Sequence, residues 1–170
     1  MAPDREQLAQ LYERVKGDLV TVALHLVGER AAAEDLVHDV FVAFARRGRE
    51  LASLDETRRY LVTSCVHRSR ELKRRRLVVI GPEVGLDRTA PRAAEPLRQV
   101  GADDDADQVR AALRELPDEQ REVVTLHLHG GLAFREIGET LEISINTVTS
   151  RYRYALEKLR ARLAAKGVGP

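Results

Sequence analysis

LAFREIGETLEISINTVTSRYRYALEKLR, residues 132–160, decides how this chain is read. Ile137 and Leu141 stand one helical turn apart, so a short helix from about Ala133 to Leu141 buries both on one face. Gly138 between them permits a close approach by a neighbouring helix, and Ile143 in the turn plugs the core. Ser144 has the side chain and position of an N-cap, an oxygen that accepts from the exposed amides of the next helix. That helix, Ile145 to Leu163, carries Val148 inward, and Tyr152, Ala155, Leu156 and Leu159 continue the stripe. Cap, turn and spacing agree on a helix-turn-helix.

The residues left outward on the second helix are Thr147, Thr149, Ser150, Arg151, Arg153 and Tyr154. A helix of this kind fits the major groove of DNA with its N-terminal residues toward the base edges. Arginine pairs bidentately with guanine, and short hydroxyl side chains reach several bases. Arg135, Arg151 and Lys158 are suited to phosphate contacts, which position the helix without reading sequence. The bland alternative is an amphipathic helix pair with a solvated basic face.

Upstream of this motif, Val109 and Leu113 open a helix that Pro117 ends at Leu116, because the residue before proline disfavours helical geometry. Another, with Val123, Val124, Leu126 and Leu128, runs to Gly130-Gly131. The N-terminal half shows three stripes: Leu8, Leu11, Tyr12, Val15 and Leu19 continuing to a stop at Gly28; Leu36, Val37, Val40, Phe41 and Phe44; and Leu61, Val62, Cys65, Val66, Ser69 and Leu72, with Ser53 or Asp55 as caps. Between Gly81 and Ala106 the periodicity disappears. Three of the chain's six prolines lie there and no aromatic residue does, so this stretch cannot bury enough surface to offset its ordering entropy. The expectation is an all-α chain: helices in 1–80, a linker over 81–106, and a second helical domain over 107–166 containing the helix-turn-helix. No convincing strand and no internal repeat stands out.

Composition narrows the function. Of 170 residues, 44% are apolar, enough for real cores, but only 4% are aromatic and none is tryptophan, which weakens readings that need a base-stacking platform. The net charge of +1 averages over unlike segments. Arg68 to Arg76 holds six basic residues against Glu71, whereas Asp103, Asp104, Asp105 and Asp107 are acidic, a segregation that points to partners read by local patches. The single Cys65 forms no internal disulfide and fits a reducing cytoplasm; no apolar run reaches membrane-spanning length, so no membrane insertion is expected. His127 and His129 are two apart on a helix and diverge from any common ion, and His25 and His38 sit in separate helices without nearby cysteines. With no glycine-rich phosphate loop and no serine elbow, no enzymatic activity, cofactor or metal is expected.

The segment LRELPDEQREVVTLHLHGGLAFREIGETLEISINTVTSRYRYALEKLR resembles the fourth conserved domain of bacterial sigma factors, over roughly 50 residues. The resemblance implies binding to the minus-thirty-five promoter element and to the flap of the polymerase beta subunit. Ile145 to Lys158 is then the recognition helix, with Thr149, Ser150 and Arg153 toward the bases and Arg151 and Tyr154 nearer the backbone.

LYERVKGDLVTVALHLVGERAAAEDLVHDVFVAFAR is similar to the second sigma domain, in which a segment like AEDLVHDVF docks on the beta-prime clamp of core RNA polymerase. Glu34, Asp35, His38 and Asp39 crowd one side of that helix, an acidic stripe suited to a basic partner; Leu36, Val40 and Phe41 lie on the other, and Phe41 joins the docking set. The next helix, about Thr57 to Arg76, is implied to melt the minus-ten element through Arg58, Arg59, Tyr60, His67, Arg68, Arg70, Lys73 and Arg74, and the loop before it, about Arg49 to Asp55, to help capture a flipped base. The pattern departs here: Tyr60 stands where Trp is common, His67 where Asn is common, and Glu71 replaces the usual Asp, so an altered promoter preference is implied.

These features make the chain resemble a sigma factor of the extracytoplasmic-function group, a promoter-directing initiation factor. Its linker of about 26 residues would average roughly 25–30 Å end to end, and the acidic end, Asp103 to Asp105, is expected to thread a basic channel of the polymerase as the family's linker does. An anti-sigma factor is a further expected partner, covering the acidic stripe and the apolar faces around it. The rival reading is a stand-alone helix-turn-helix regulator with an N-terminal sensing or dimerising domain; a protein-only adaptor is a third.

Overall fold

The computed structural model describes residues 4–48, 53–80, 104–165 and 167, with the backbone alone for 76–80 and 104–107. Seven helices are found among them: α1 (Arg5–Val27), α2 (Arg30–Arg46), α3 (Leu54–Ile80), α4 (Asp104–Arg114), α5 (Asp118–Leu128), α6 (Phe134–Leu141) and α7 (Ile145–Ala165). No strand occurs among the described residues. The chain divides into two compact units, one built from α1–α3 and one centred on α4–α7. Most of the expected linker lies outside the described residues, as do loop residues 49–52 and Asp103.

In the first unit α1 packs against both α2 and α3, which also pack on each other. Asp4 opens α1 with a capping box: its carboxylate accepts from the Gln7 amide at 2.8 Å, and the Gln7 side chain accepts from the Asp4 amide at 3.0 Å. Gly28, with φ 80°, closes the helix in the left-handed region, the stop its position in the sequence predicted. The three expected stripes meet: Leu11, Val15, Leu19 and Val22 of α1, Leu36, Val37, Val40 and Phe44 of α2, and Leu61, Val62, Cys65 and Val66 of α3 are all buried. Burial pushes the Cys65 thiol up to about 12, so it sits there as a neutral apolar group.

α3 begins earlier than its apolar stripe predicts. Ser53, not Asp55, is the cap: its hydroxyl accepts from the Glu56 amide while the Glu56 carboxylate accepts from the Ser53 amide, both at 3.2 Å. A polar capping box leaves no mark in a hydrophobic pattern, so Leu54 and Asp55 fall within the loop expected over about Arg49 to Asp55. α3 also runs on to Ile80, past the expected end at about Arg76, and α4 starts at Asp104, inside the stretch assigned to the linker. Asp104, Asp105 and Asp107 are among its first four residues. The composition that suggested a solvated tether also suits a helix N-terminus.

The second unit has its own core of Ala112, Leu116, Val124, Ala155 and Leu159, with Leu113, Tyr152, Leu156 and Leu163 packed around it. Arg162 of α7 pairs with Glu115, just past the end of α4. Between α5 and α6 the chain turns with Leu132 donating its amide to the Leu126 carbonyl at 3.1 Å. His127 then donates through Nδ1 to the Leu132 carbonyl at 2.8 Å, and its ring meets Phe134 at 4.9 Å and Tyr152 at 5.2 Å. His127 is thus a structural side chain that ties α5, α6 and α7 together.

Candidate nucleic-acid interface

The helix-turn-helix is built as its sequence indicated, except that Ile143 is only half-buried, and with one addition. Ile137, Leu141 and Val148 are buried at the crossing of α6 and α7. Gly138 is required there: a Cβ on it would lie 2.9 Å from the carbonyl oxygen of Ile143 and 3.8 Å from Val148 Cγ2. Ser144 caps α7, accepting from the Thr147 amide at 3.1 Å. Ahead of α6, Ala133 offers no acceptor, and only the returning half of a capping box forms, Glu136 accepting from the Ala133 amide at 2.7 Å. The addition is Glu142, which makes the turn at φ 58°, ψ 41°. It is the one non-glycine residue with positive φ among those described, and glycine, the usual signal for this conformation, is missing from the position.

The outward residues of α7 fall into two groups. Counted from buried Val148 at 3.6 residues per turn, Ser150 and Arg153 stand on the opposite crest with Thr149 beside them, whereas Thr147, Arg151, Tyr154 and Lys158 share one flank. Thr149 donates its hydroxyl to the Ile145 carbonyl at 2.9 Å, which leaves its oxygen lone pairs and its methyl to face a ligand. The guanidinium of Arg153 lies over the Tyr154 ring, 4.9 Å from its centroid, and reaches Glu157 only loosely, at 3.9 Å. Arg151 is the most engaged, paired with Glu119 of α5 at 3.0 Å with its side chain 24% exposed. Thr147 is partly spent on the cap, its hydroxyl 2.9 Å from that of Ser144. Arg135 of α6 is open to solvent, with a 3.3 Å contact to Glu139, and Lys158 is exposed.

On α3 the fold separates residues that the sequence grouped together. Arg58 turns toward α1 and pairs with Asp18 at 3.3 Å, and with Asp55 at 3.5 Å on its own helix. Lys73 and Arg74 are exposed, as is His67 at the rim of the groove against α2, and Arg59 and Arg70 are half-buried. Tyr60, Ser64, His67, Arg68 and Glu71, at i, i+4, i+7, i+8 and i+11, line a groove against α2. Arg68 donates to Glu71 at 2.9 Å, and Arg75 pairs with the other carboxylate oxygen. The Arg68 hydrogen bond, then the charge of Arg75, holds the Glu71 carboxyl below the ordinary carboxylate range. Sequence reasoning missed Arg47, which follows α2 and donates from Nη1 to the Tyr60 hydroxyl at 2.9 Å, and Ser64. Spacing from Tyr60 would have found Ser64; Arg47 arrives from another helix and carried no local signal.

The acidic stripe of α2 is present. Glu34, Asp35, His38 and Asp39 are exposed while Leu36, Val37 and Val40 are buried beneath them. Glu34 accepts from Arg30 at 2.8 Å. Phe41 is half-buried, edge-on to Tyr12 with centroids 4.9 Å apart. His38 and Asp39 also border the α2–α3 groove, so the stripe and the groove are continuous.

The first unit is a three-helix bundle with an acidic stripe beside a polar groove, and the second is a helix-turn-helix unit with exposed hydroxyl and arginine side chains, a motif of DNA-binding proteins. Comparison with known proteins agrees. The family description "Sigma-70 region 2" matches residues 11–77, and "Sigma-70, region 4" matches residues 112–161. The ECF RNA polymerase sigma factors SigK of Mycobacterium tuberculosis H37Rv and of Mycobacterium bovis BCG Pasteur are each 25% identical over 162 residues, covering 92% of this chain and 86% of theirs. Among solved structures, the sigma factor RpoE of Bartonella quintana, in complex with the anti-sigma factor NepR, superposes with a TM-score of 0.67 at 25% identity, over 92% of this chain and 96% of that one. The chain belongs to the sigma-70 family, in its extracytoplasmic-function group. It is an initiation factor that binds core RNA polymerase and directs it to promoters. The region 2 match across α1–α3 removes the rival of a sensing or dimerising N-terminal domain.

Proposed function

We propose a division of labour between the units: 1–80 docks on polymerase and opens the minus-ten element, 107–166 reads the minus-thirty-five element, and the linker between them spans the two. In the second unit Thr149, Ser150 and Arg153 meet base edges, while Arg135, Thr147, Arg151, Tyr154 and Lys158 hold the backbone. The observation that carries this is the sorting of α7: its apolar stripe is buried, Ser150 and Arg153 stand on the crest opposite it, and Arg151 and Lys158 lie along one flank. In the first unit Arg59, Arg70, Lys73 and Arg74 neutralise phosphates of the opened strand, and Tyr60, His67 and Arg68 in the α2–α3 groove receive a base. Arg58 contributes mainly by holding α3 to α1 through Asp18.

Glu34, Asp35, His38, Asp39 and Phe41 form the polymerase-docking surface, acidic groups around an aromatic edge that suit a basic beta-prime clamp; the beta flap falls to the second unit. The Bartonella relative is bound by an anti-sigma factor, and a comparable inhibitor here would cover the α2 stripe. The protein acts in the cytoplasm beside the polymerase, and bond formation belongs to the polymerase alone. Transcription in vitro from a genomic promoter library, with core polymerase with and without the protein, tests the reading. New start sites that depend on the protein, and weaken for Arg153→Ala at the upstream element and His67→Ala at the downstream one, are the expected result. Unchanged start sites would overturn it.

A further inference from the structure

We propose that Asn146 and Ile145, in the first turn of α7, read an A·T pair at one edge of the DNA element this helix enters. The proposal rests on the reading of α7 as the minus-thirty-five helix and adds two specificity-determining residues to it.

Neither residue is explained by the fold. The helix N-terminus is capped by Ser144 alone, through the Thr147 amide. The core beneath α7 is filled by Val148, Ala155 and Leu159. Ile145 nevertheless stands 51% exposed, a large apolar side chain facing water beside an interface made of polar groups. Asn146 is exposed, and its carboxamide makes no hydrogen bond among the described residues.

The register gives Asn146 its place. From Val148, two residues back and two or five residues on all fall opposite the core, so Asn146, Ser150 and Arg153 form one stripe at i, i+4 and i+7. Asn146 leads that stripe at the end of the helix that points most directly at base edges. Its side chain offers one acceptor and one donor side by side, which matches the N6 donor and N7 acceptor of adenine. Guanine, with two acceptors on that edge, is a mismatch. The thymine of the same pair projects a methyl group into the major groove, an apolar surface for Ile145. Arg153, seven residues on and about 10 Å along the helix, takes a guanine on the order of three base pairs away.

The test uses holoenzyme assembled from core polymerase and the full chain on promoters randomised through the upstream element, with transcripts counted by sequence. The wild-type protein is expected to prefer A·T at one position by about tenfold, and Asn146→Ala to lose that preference there alone. Asn146→Asp is expected to shift the preference toward cytosine, whose N4 donor a carboxylate accepts; misfolding cannot produce such a gain. Replacing the adenine with 7-deazaadenine should weaken initiation by the wild-type protein and leave Asn146→Ala unaffected. Replacing the thymine with uracil should do the same for Ile145→Ala. An Asn146→Ala holoenzyme that keeps the wild-type base profile at every position overturns the proposal while leaving the minus-thirty-five reading intact. If Arg153→Ala also leaves the profile unchanged, the reading of α7 fails and this inference goes with it.

Discussion

α3 and α7 both carry arginine and lysine on their exposed sides, yet they are built on different terms. α7 keeps its polar side chains apart from its packing ones: Val148, Ala155 and Leu159 are buried, while Ser150 and Arg153 stand on the far side. α3 mixes them. Arg58 is drawn into an ion pair with Asp18, Arg68 and Arg75 share Glu71, and Tyr60 is held by Arg47. A helix that reads intact duplex can be a rigid insert whose outer face is free to vary. α3, which the proposed function has meeting an opened strand, sits beside a groove whose walls come from two elements, so its polar groups are held in place by one another. Substitution should therefore separate binding from stability cleanly on α7 and poorly on α3.

The largest expected effect breaks the second unit alone. Val148→Asp buries an unpaired charge at the α6–α7 crossing and should cost on the order of 3–5 kcal/mol, enough to unfold the helix-turn-helix. Because the units have separate cores, Cys65 should remain unreactive toward a thiol reagent while circular dichroism reports lost helix; a reactive Cys65 would mean that the two cores are one cooperative unit. Gly138→Ala is milder. The added methyl meets the Ile143 carbonyl oxygen, an overlap of about 1–3 kcal/mol, against roughly 1 kcal/mol gained in helix propensity. The net should be a loss of about 1 kcal/mol, read from the midpoint of urea unfolding.

Glu142→Gly is expected to act in the opposite direction. Left-handed geometry at Glu142 costs roughly 1–2 kcal/mol, part of which returns as the greater unfolded freedom of glycine. A small rise in melting temperature should follow, with promoter use unchanged. On α3, Arg58→Ala should lower stability by about 0.5 kcal/mol. Arg74→Ala should instead leave stability alone and reduce the salt dependence of promoter opening by about one phosphate contact. If both variants behave alike, the contrast drawn for α3 fails.

The smallest effect is electrostatic. The folded chain holds the Glu71 carboxyl below its unfolded value, so its contribution is fully present above the ordinary carboxylate range. It is lost as pH falls through the lowered value, when Glu71 takes up a proton and releases Arg68 and Arg75. Glu71→Gln should accordingly flatten the acid limb of an unfolding titration, leaving neutral stability little changed because the pair is solvent-screened.

The sequence by itself determined the helices, most of their inward stripes (Leu72, Val109 and Leu128 stand exposed), the Ser144 cap, the close approach at Gly138 and the acidic face of α2. All of these are local patterns repeating every three or four residues, and helical geometry converts such repeats directly into faces. It also carried the sigma-factor resemblance, since the helix-turn-helix and the AEDLVHDVF segment are contiguous. Where polar residues open a helix, as at Ser53 and Asp104, apolar periodicity is silent, and α3 and α4 start earlier than it indicates. Only the tertiary structure decided which cations of α3 face outward. The pull of Asp18 on Arg58, the bond from Arg47 to Tyr60 and the pairing of Arg151 with Glu119 each join residues from different helices. Such partners are fixed by how helices cross, a distance in space that no spacing along the chain encodes.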